Sequence, residues 1–202
     1  NPRFEPNGTY HPFDGDGMIH AAHFDRGRVT YRNKWVRTDA LREEQRAGAS
    51  PFWGIMGTLK GRGDRRLKDT ANTDLVFHAG QLLAVWWLGG EPHVLRLPDL
   101  ETLGVQTYGG KRRSGLSAHP KVDPVTGEMI WFDYQPSPPY LTYGVISADG
   151  ELVHQAEITL DGPRLQHDIA ITEQYTVLMD MSMMWDPEAL AAGRVRLGFF
   201  PD

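Results

Sequence analysis

The stretch MIWFDYQPSPPYLTYGVISADGELVHQAEI, residues 129–158, decides the fold. It holds three apolar, β-branched and aromatic runs, at 129–134, 140–146 and 152–158, separated by turn-forming residues such as Asp149-Gly150. Short runs of this composition broken by tight turns read as antiparallel strands joined in sequential hairpins.

The same rhythm extends in both directions. Upstream, 74–78 and 81–88 flank the Ala79-Gly80 turn, and a strand over 93–97 follows Gly89-Gly90-Glu91-Pro92. Further upstream, the runs 18–24 and 29–36 enclose the turn Asp25-Arg26-Gly27-Arg28 and read as a hairpin. Downstream, strands are expected over 165–172, 175–181 and 194–200, with a short helix over 186–192. The one good early helix spans 38–46; Thr38 or Asp39 can cap its start and Gly48 can end it. Residues 50–70 carry glycine and charge and read as loop. About a dozen short strands with few helices favour a sandwich, barrel or propeller, and no internal domain boundary is visible.

Composition narrows the function. The chain has 202 residues and a net charge of -5, and its only dense positive cluster is Lys111-Arg112-Arg113. A nucleic-acid partner would require a basic face, so none is expected. Cysteine is absent, which excludes disulfides and thiolate metal sites. No apolar run reaches the roughly 18 residues of a membrane span. The abrupt start at Asn1-Pro2-Arg3 and the stop after a strand-like run at Phe200-Pro201-Asp202 read as cuts through a longer protein.

A metal site in such a chain would be built from imidazole, with or without carboxylate, and imidazole suits iron, copper, zinc or nickel. Of the eight histidines, two have distinctive surroundings. His167 lies in L-Q-H-D-I-A-I-T, where strand alternation puts it on one face with Ile169 and Ile171, towards an apolar interior. A histidine there needs a metal or a hydrogen-bond partner. His119 lies in L-S-A-H-P-K-V-D-P-V-T-G-E-M, and Pro120 biases it towards an extended backbone. They lie 48 positions apart, roughly one propeller blade of about 40–50 residues. Equivalent positions in successive blades would face a common axis.

The segments S-A-H-P-K-V-D-P-V-T-G-E-M and H-D-I-A-I-T-E resemble the first two histidine boxes of the carotenoid cleavage oxygenases. Three further stretches agree in order and spacing: N-P-R-F-E-P at the start, F-D-G-D-G-M-I-H at 13–20, and A-N-T-D-L-V-F-H-A-G-Q-L-L-A-V-W at 71–86. The resemblance implies an all-β, seven-bladed β-propeller, of which residues 1–202 would be an incomplete N-terminal to central portion. It implies Fe(2+) held by four histidines, with dioxygen bound at an open position and a conjugated alkene cleaved to two carbonyl products. His119 and His167 would be the first and second ligands, with the other two beyond Asp202, so the chain by itself would be inactive. The expected substrate is a carotenoid or apocarotenoid polyene. The alternatives are a stilbene substrate on the same scaffold, or a non-catalytic propeller fragment that binds a partner or an apolar ligand. A cytoplasmic location is expected, with association at a membrane surface left open.

Two positions depart from the family pattern. Trp87 stands where a glutamate normally supports one of the ligands, so Glu91 or another acid would have to compensate. Pro12 stands where an aromatic residue is more usual. Trp86, in place of the lysine found in stilbene-cleaving relatives, favours a carotenoid substrate. Asp14-Gly15-Asp16-Gly17 lacks the terminal glutamate of a calcium loop and reads as a turn. Phe77, Trp86, Trp87 and Trp131 are expected in the core rather than along a substrate tunnel, and the methionines at 179–184 as core filler. Asp168 and Glu173, flanking the second histidine box, are expected to bond to backbone rather than to take part in catalysis.

Overall fold

The computed structural model describes residues 2–55, 67–194 and 197–200. Most regular structure is β. The strands are β1 (Met18–Asp25), β2 (Arg28–Trp35), β3 (Asp74–His78), β4 (Gln81–Val85), β5 (His93–Arg96), β6 (Glu101–Val105), β7 (Lys121–Val122), β8 (Met129–Tyr134), β9 (Leu141–Ile146), β10 (Leu152–Ile158), β11 (Ala170–Ile171), β12 (Thr176–Val177), β13 (Met183–Trp185) and β14 (Leu197–Phe199). Two helices accompany them, α1 (Asp39–Ala47) and α2 (Pro187–Ala191). No helix among the described residues is long and apolar enough to cross a membrane.

Two four-stranded antiparallel meanders dominate, in the orders β3-β4-β5-β6 and β7-β8-β9-β10. The pairs β1-β2, β11-β12 and β13-β14 stand apart from them. Simple up-and-down order follows from short connections, which force neighbouring strands to pair. The second meander carries the centre of the core. Met129, Trp131, Phe132, Leu141 and Ile146 are all sealed from solvent and cluster with Leu83, Val85, Trp86 and Leu116 of the first meander and its exit. Trp131 lies so close over Gly144 on β9 that a Cβ there would meet the indole at 2.4 Å, so the flat packing requires glycine.

The N-terminal part is held by polar clamps. Thr38 caps α1 by accepting from the Leu41 amide, and the helix ends at Gly48 in the left-handed conformation, as its sequence demands. Lys68 Nζ lies 2.8 Å from Asp16 Oδ1 and 2.8 Å from Glu44 Oε2, and all three side chains are shut away from water. Asp16 also accepts from the Arg3 amide, while Asp14 accepts from the amides of His11 and Ile55. These contacts make the Asp14–Gly17 segment a structural tie, in agreement with the turn reading.

The structure corrects several expectations. The strand read over 165–172 shrinks to β11, and that over 175–181 to β12. Glu101–Val105, unread in the sequence, completes the first meander as β6. The reading of 50–70 as loop falls partly outside the described residues. Trp86, Trp87 and Trp131 are core residues as expected, but Phe77 is exposed. Met181 is also largely exposed, so it fills no core.

Candidate metal centre

Each candidate histidine sits where the chain enters a sheet. His119 precedes β7 at the start of the second meander, and His167 precedes β11. Before His119, the chain is wedged between the two meanders: the Ser117 amide donates to Phe132 O at 2.8 Å and the Ala118 amide to Trp86 O at 2.8 Å. The wedge begins at Gly115, where a Cβ would lie 1.9 Å from Gly89 O. The backbone of His119 then turns into the positive-φ region, at +66°. This corrects the extended conformation expected before Pro120. The turn is held by Asp74, the first residue of β3, whose Oδ2 accepts from the His119 amide at 3.2 Å.

The second histidine is presented by its neighbours. Gln166, fully buried, donates through Nε2 to Asp168 O at 2.7 Å and accepts from the Met179 amide at 2.9 Å. Asp168 accepts from the Ile169 amide at 2.7 Å and from Lys121 Nζ, in keeping with the backbone-bonding role expected of it. These side-chain bonds replace the strand ladder expected over 165–169. His167 is therefore exposed, not aimed into an apolar interior, while Ile169 beyond it is buried. Lys121 joins the two loops, since its Nζ also donates to His119 O at 3.1 Å.

These anchors bring the two imidazoles together, with ring centroids 5.0 Å apart and planes at 62°. A first-row divalent ion takes an imidazole nitrogen at about 2.1 Å, which stands each ring centroid about 3.2 Å from the ion. Ligand angles of about 90° to 109° then separate the centroids by about 4.5 to 5.2 Å, and the observed separation falls inside that window. Partial desolvation of the ring, together with repulsion from His119, lowers the pKa of His167 despite the opposing pull of Asp168, which favours the neutral form that has a lone pair to offer. The two rings thus fit as two nitrogen donors to one metal ion. Among the described residues, no group of three or more histidine and carboxylate side chains is gathered in a metal-holding cluster.

Behind His119, Asp74 Oδ2 lies 3.2 Å from Nδ1. The acids weighed from sequence lie elsewhere. Glu91 is engaged by Arg112, and Trp87 is packed among the rings of Phe13, Trp86, Tyr134 and Trp185. Sequence reading missed Asp74, Gln166 and Lys121 as parts of the site. Lys121, two residues after His119, was within reach of a local reading; Asp74 acts across 45 positions and carried no local signal. Other histidines have structural partners: His78 donates to Gly127 O, and His11 caps a short 3-10 turn.

Similarity to known proteins points to one family. The family model described as retinal pigment epithelial membrane protein (RPE65) matches residues 1–201. The chain is 42% identical over 211 residues to carotenoid 9,10(9',10')-cleavage dioxygenase 1 of Arabidopsis thaliana, covering 94% of the chain and 39% of that relative. It is 37% identical over 190 residues to apocarotenoid-15,15'-oxygenase of Synechocystis, covering 84% of the chain and 38% of that relative. Among solved structures, lignostilbene dioxygenase of Pseudomonas brassicacearum superposes with a TM-score of 0.87 at 33% identity, over 100% of this chain and 43% of that one. A cobalt-substituted Synechocystis apocarotenoid oxygenase gives 0.79 at 35% identity, over 95% and 44%. The chain belongs to the RPE65 and carotenoid cleavage dioxygenase family. It spans about two-fifths of the length of the curated relatives it matches.

Proposed function

We propose that the intact protein is an iron(II)-dependent dioxygenase that cleaves one C=C bond of a carotenoid or apocarotenoid into two carbonyl products, and that His119 and His167 are two of its iron ligands. The two four-stranded meanders are, on this reading, two blades of a seven-bladed β-propeller whose hub carries the metal. The convergence of two imidazoles from the entries of successive sheets, 5.0 Å apart, carries the proposal.

Iron(II) held there supplies the binding and activation of dioxygen next to the alkene. The protein's own groups hold and orient. His119 and His167 act as neutral nitrogen donors, not as acid or base, because the overall change adds both oxygen atoms to the two alkene carbons and moves no proton. Lys121 sets the separation of the two donor loops through His119 O and Asp168. The chain leading into His119 is anchored to buried strands, since the Ser117 amide donates to Phe132 O and the Ala118 amide to Trp86 O.

Identity with carotenoid and apocarotenoid cleavers supports the polyene substrate. A stilbene substrate is the second reading, favoured by the superposition of this chain on 43% of a lignostilbene dioxygenase. Apocarotenal and a hydroxystilbene offered side by side discriminate the two, and faster turnover of the stilbene overturns the first. His119→Ala and His167→Ala, made singly in the intact protein, are expected to abolish both iron retention and cleavage. Either variant retaining full iron and full activity refutes the ligand assignment.

A further inference from the structure

Asp74 stands where no resemblance assigned a role. It opens β3 in the first meander, whereas the histidine it touches opens the second. Its carboxylate is fully engaged: Oδ1 accepts from the Leu75 amide at 2.7 Å, and Oδ2 lies 3.2 Å from both the amide nitrogen and Nδ1 of His119. The amide contact is a hydrogen bond that holds the backbone turn of His119, and the Nδ1 contact is an N···O approach of ion-pair length that sets the same oxygen against its ring. An ionised carboxylate has no proton to give, so a neutral imidazole beside it is favoured with its proton on Nδ1. Nε2 is then left with its lone pair, on a ring standing 5.0 Å from that of His167.

We infer that Asp74 is a positioning residue for the metal centre: it fixes His119 as the Nδ1–H tautomer and points Nε2 at the site shared with His167. The inference rests on the ligand reading of the previous subsection and adds to it a carboxylate partner for the first histidine. The carboxylate supports the first histidine from a neighbouring sheet, and a carboxylate behind a ligating imidazole both orients the ring and raises its basicity.

The test has two readouts, taken on intact protein freed of metal and labelled with 15N at histidine. Long-range proton–nitrogen correlation spectra read the tautomer of His119 directly, and titration with cobalt(II) reads affinity. The parent is expected to hold His119 as Nδ1–H. In Asp74→Ala the ring is expected to shift towards Nε2–H and cobalt affinity to fall by about 10- to 100-fold. Asp74→Asn preserves shape and one carbonyl acceptor, so it is expected to fold like the parent and lie between the two in affinity. His167→Ala is expected to lose cobalt while leaving the His119 tautomer untouched. An unchanged tautomer in Asp74→Ala, or parental cobalt affinity in both Asp74 variants, overturns the role of Asp74 alone. Parental cobalt affinity in His119→Ala overturns the ligand reading itself, and the metal-directed role of Asp74 with it.

Discussion

The second meander and the β1-β2 hairpin are both antiparallel but are held by opposite means. All six residues of β8, Met129–Tyr134, are buried. No residue of β1 or β2 is fully buried, and Phe24, Val29 and Tyr31 project into solvent. The meander is a close-packed sheet whose stability lies in apolar contacts. The hairpin is fastened at its base, where Val36 donates to Gly17 O, Gly17 donates to Thr70 O, and Lys68 sits between Asp16 and Glu44. Further along β2 from that base, Lys34 reaches Glu101 at 3.0 Å and Arg32 reaches Pro98 O at 3.2 Å. Exposed pairs of that kind contribute only about 0–1 kcal/mol. Pairing between two strands alone does not stabilise a hairpin in water, so the base clamp decides whether β1 and β2 stay in register.

The sharpest way to break this contrast is Trp131→Ala in the meander. Trp131 is completely buried, and its removal is expected to cost about 3–5 kcal/mol in urea unfolding of the intact protein. A loss below 1 kcal/mol would deny the meander its apolar basis. Lys68→Met probes the opposite mechanism. It leaves two buried carboxylates without their cation, and loss of one partner of a buried ion pair costs about 3–5 kcal/mol. Here hydrogen exchange is expected to rise first in β1, β2 and α1, while β8 remains protected; uniform exchange across both regions would erase the distinction.

A smaller effect sharpens the comparison from within the core. Burial raises the pKa of Asp133 on β8, although the hydrogen bond from Gln135 opposes it. A raised carboxyl means that the folded state binds this proton more tightly than the unfolded chain. Its contribution to stability is therefore fully present below the ordinary value of 3.8 and is lost as pH rises through the raised folded value. Asp133→Asn removes that loss. Its melting temperature is expected to gain on the parent as pH rises above 3.8 towards and through the raised folded value. A pH-independent difference would contradict the assignment. Smallest of all, Phe24→Ser on the exposed face of the hairpin is expected to change stability by about 0.5 kcal/mol or less. A large loss would mean that this face is covered in the intact protein.

The sequence was most legible where structure is local. The runs at 129–134 and 152–158 carry their own alternation and turns, and they fold as β8 and β10. Thr38 and Gly48 bracket α1 because capping depends on residues within one helical turn. Glu101–Val105 was hidden because Gly104 interrupts its apolar pattern and the turn before it, with Leu100 at positive φ, has no glycine to announce it. The meeting of His119 and His167 was foreseen from their spacing and surroundings. Their presentation was not, since the positive φ of His119 is imposed by Asp74 from another sheet, and Gln166 and Asp168 draw the second loop out of strand geometry. Long-range capture of a backbone by a single side chain leaves no periodic trace in a sequence.

The bifurcated grip of Lys121 has one more consequence. A loop free to wander must surrender conformational entropy when it closes around an ion, and that surrender weakens binding. Because one ammonium group already fastens both donor loops, folding settles their mutual distance before any metal arrives. Capture at such a preorganised pair is then expected to show a small entropic penalty and fast association, whereas Lys121→Met would slow loading without removing either nitrogen donor.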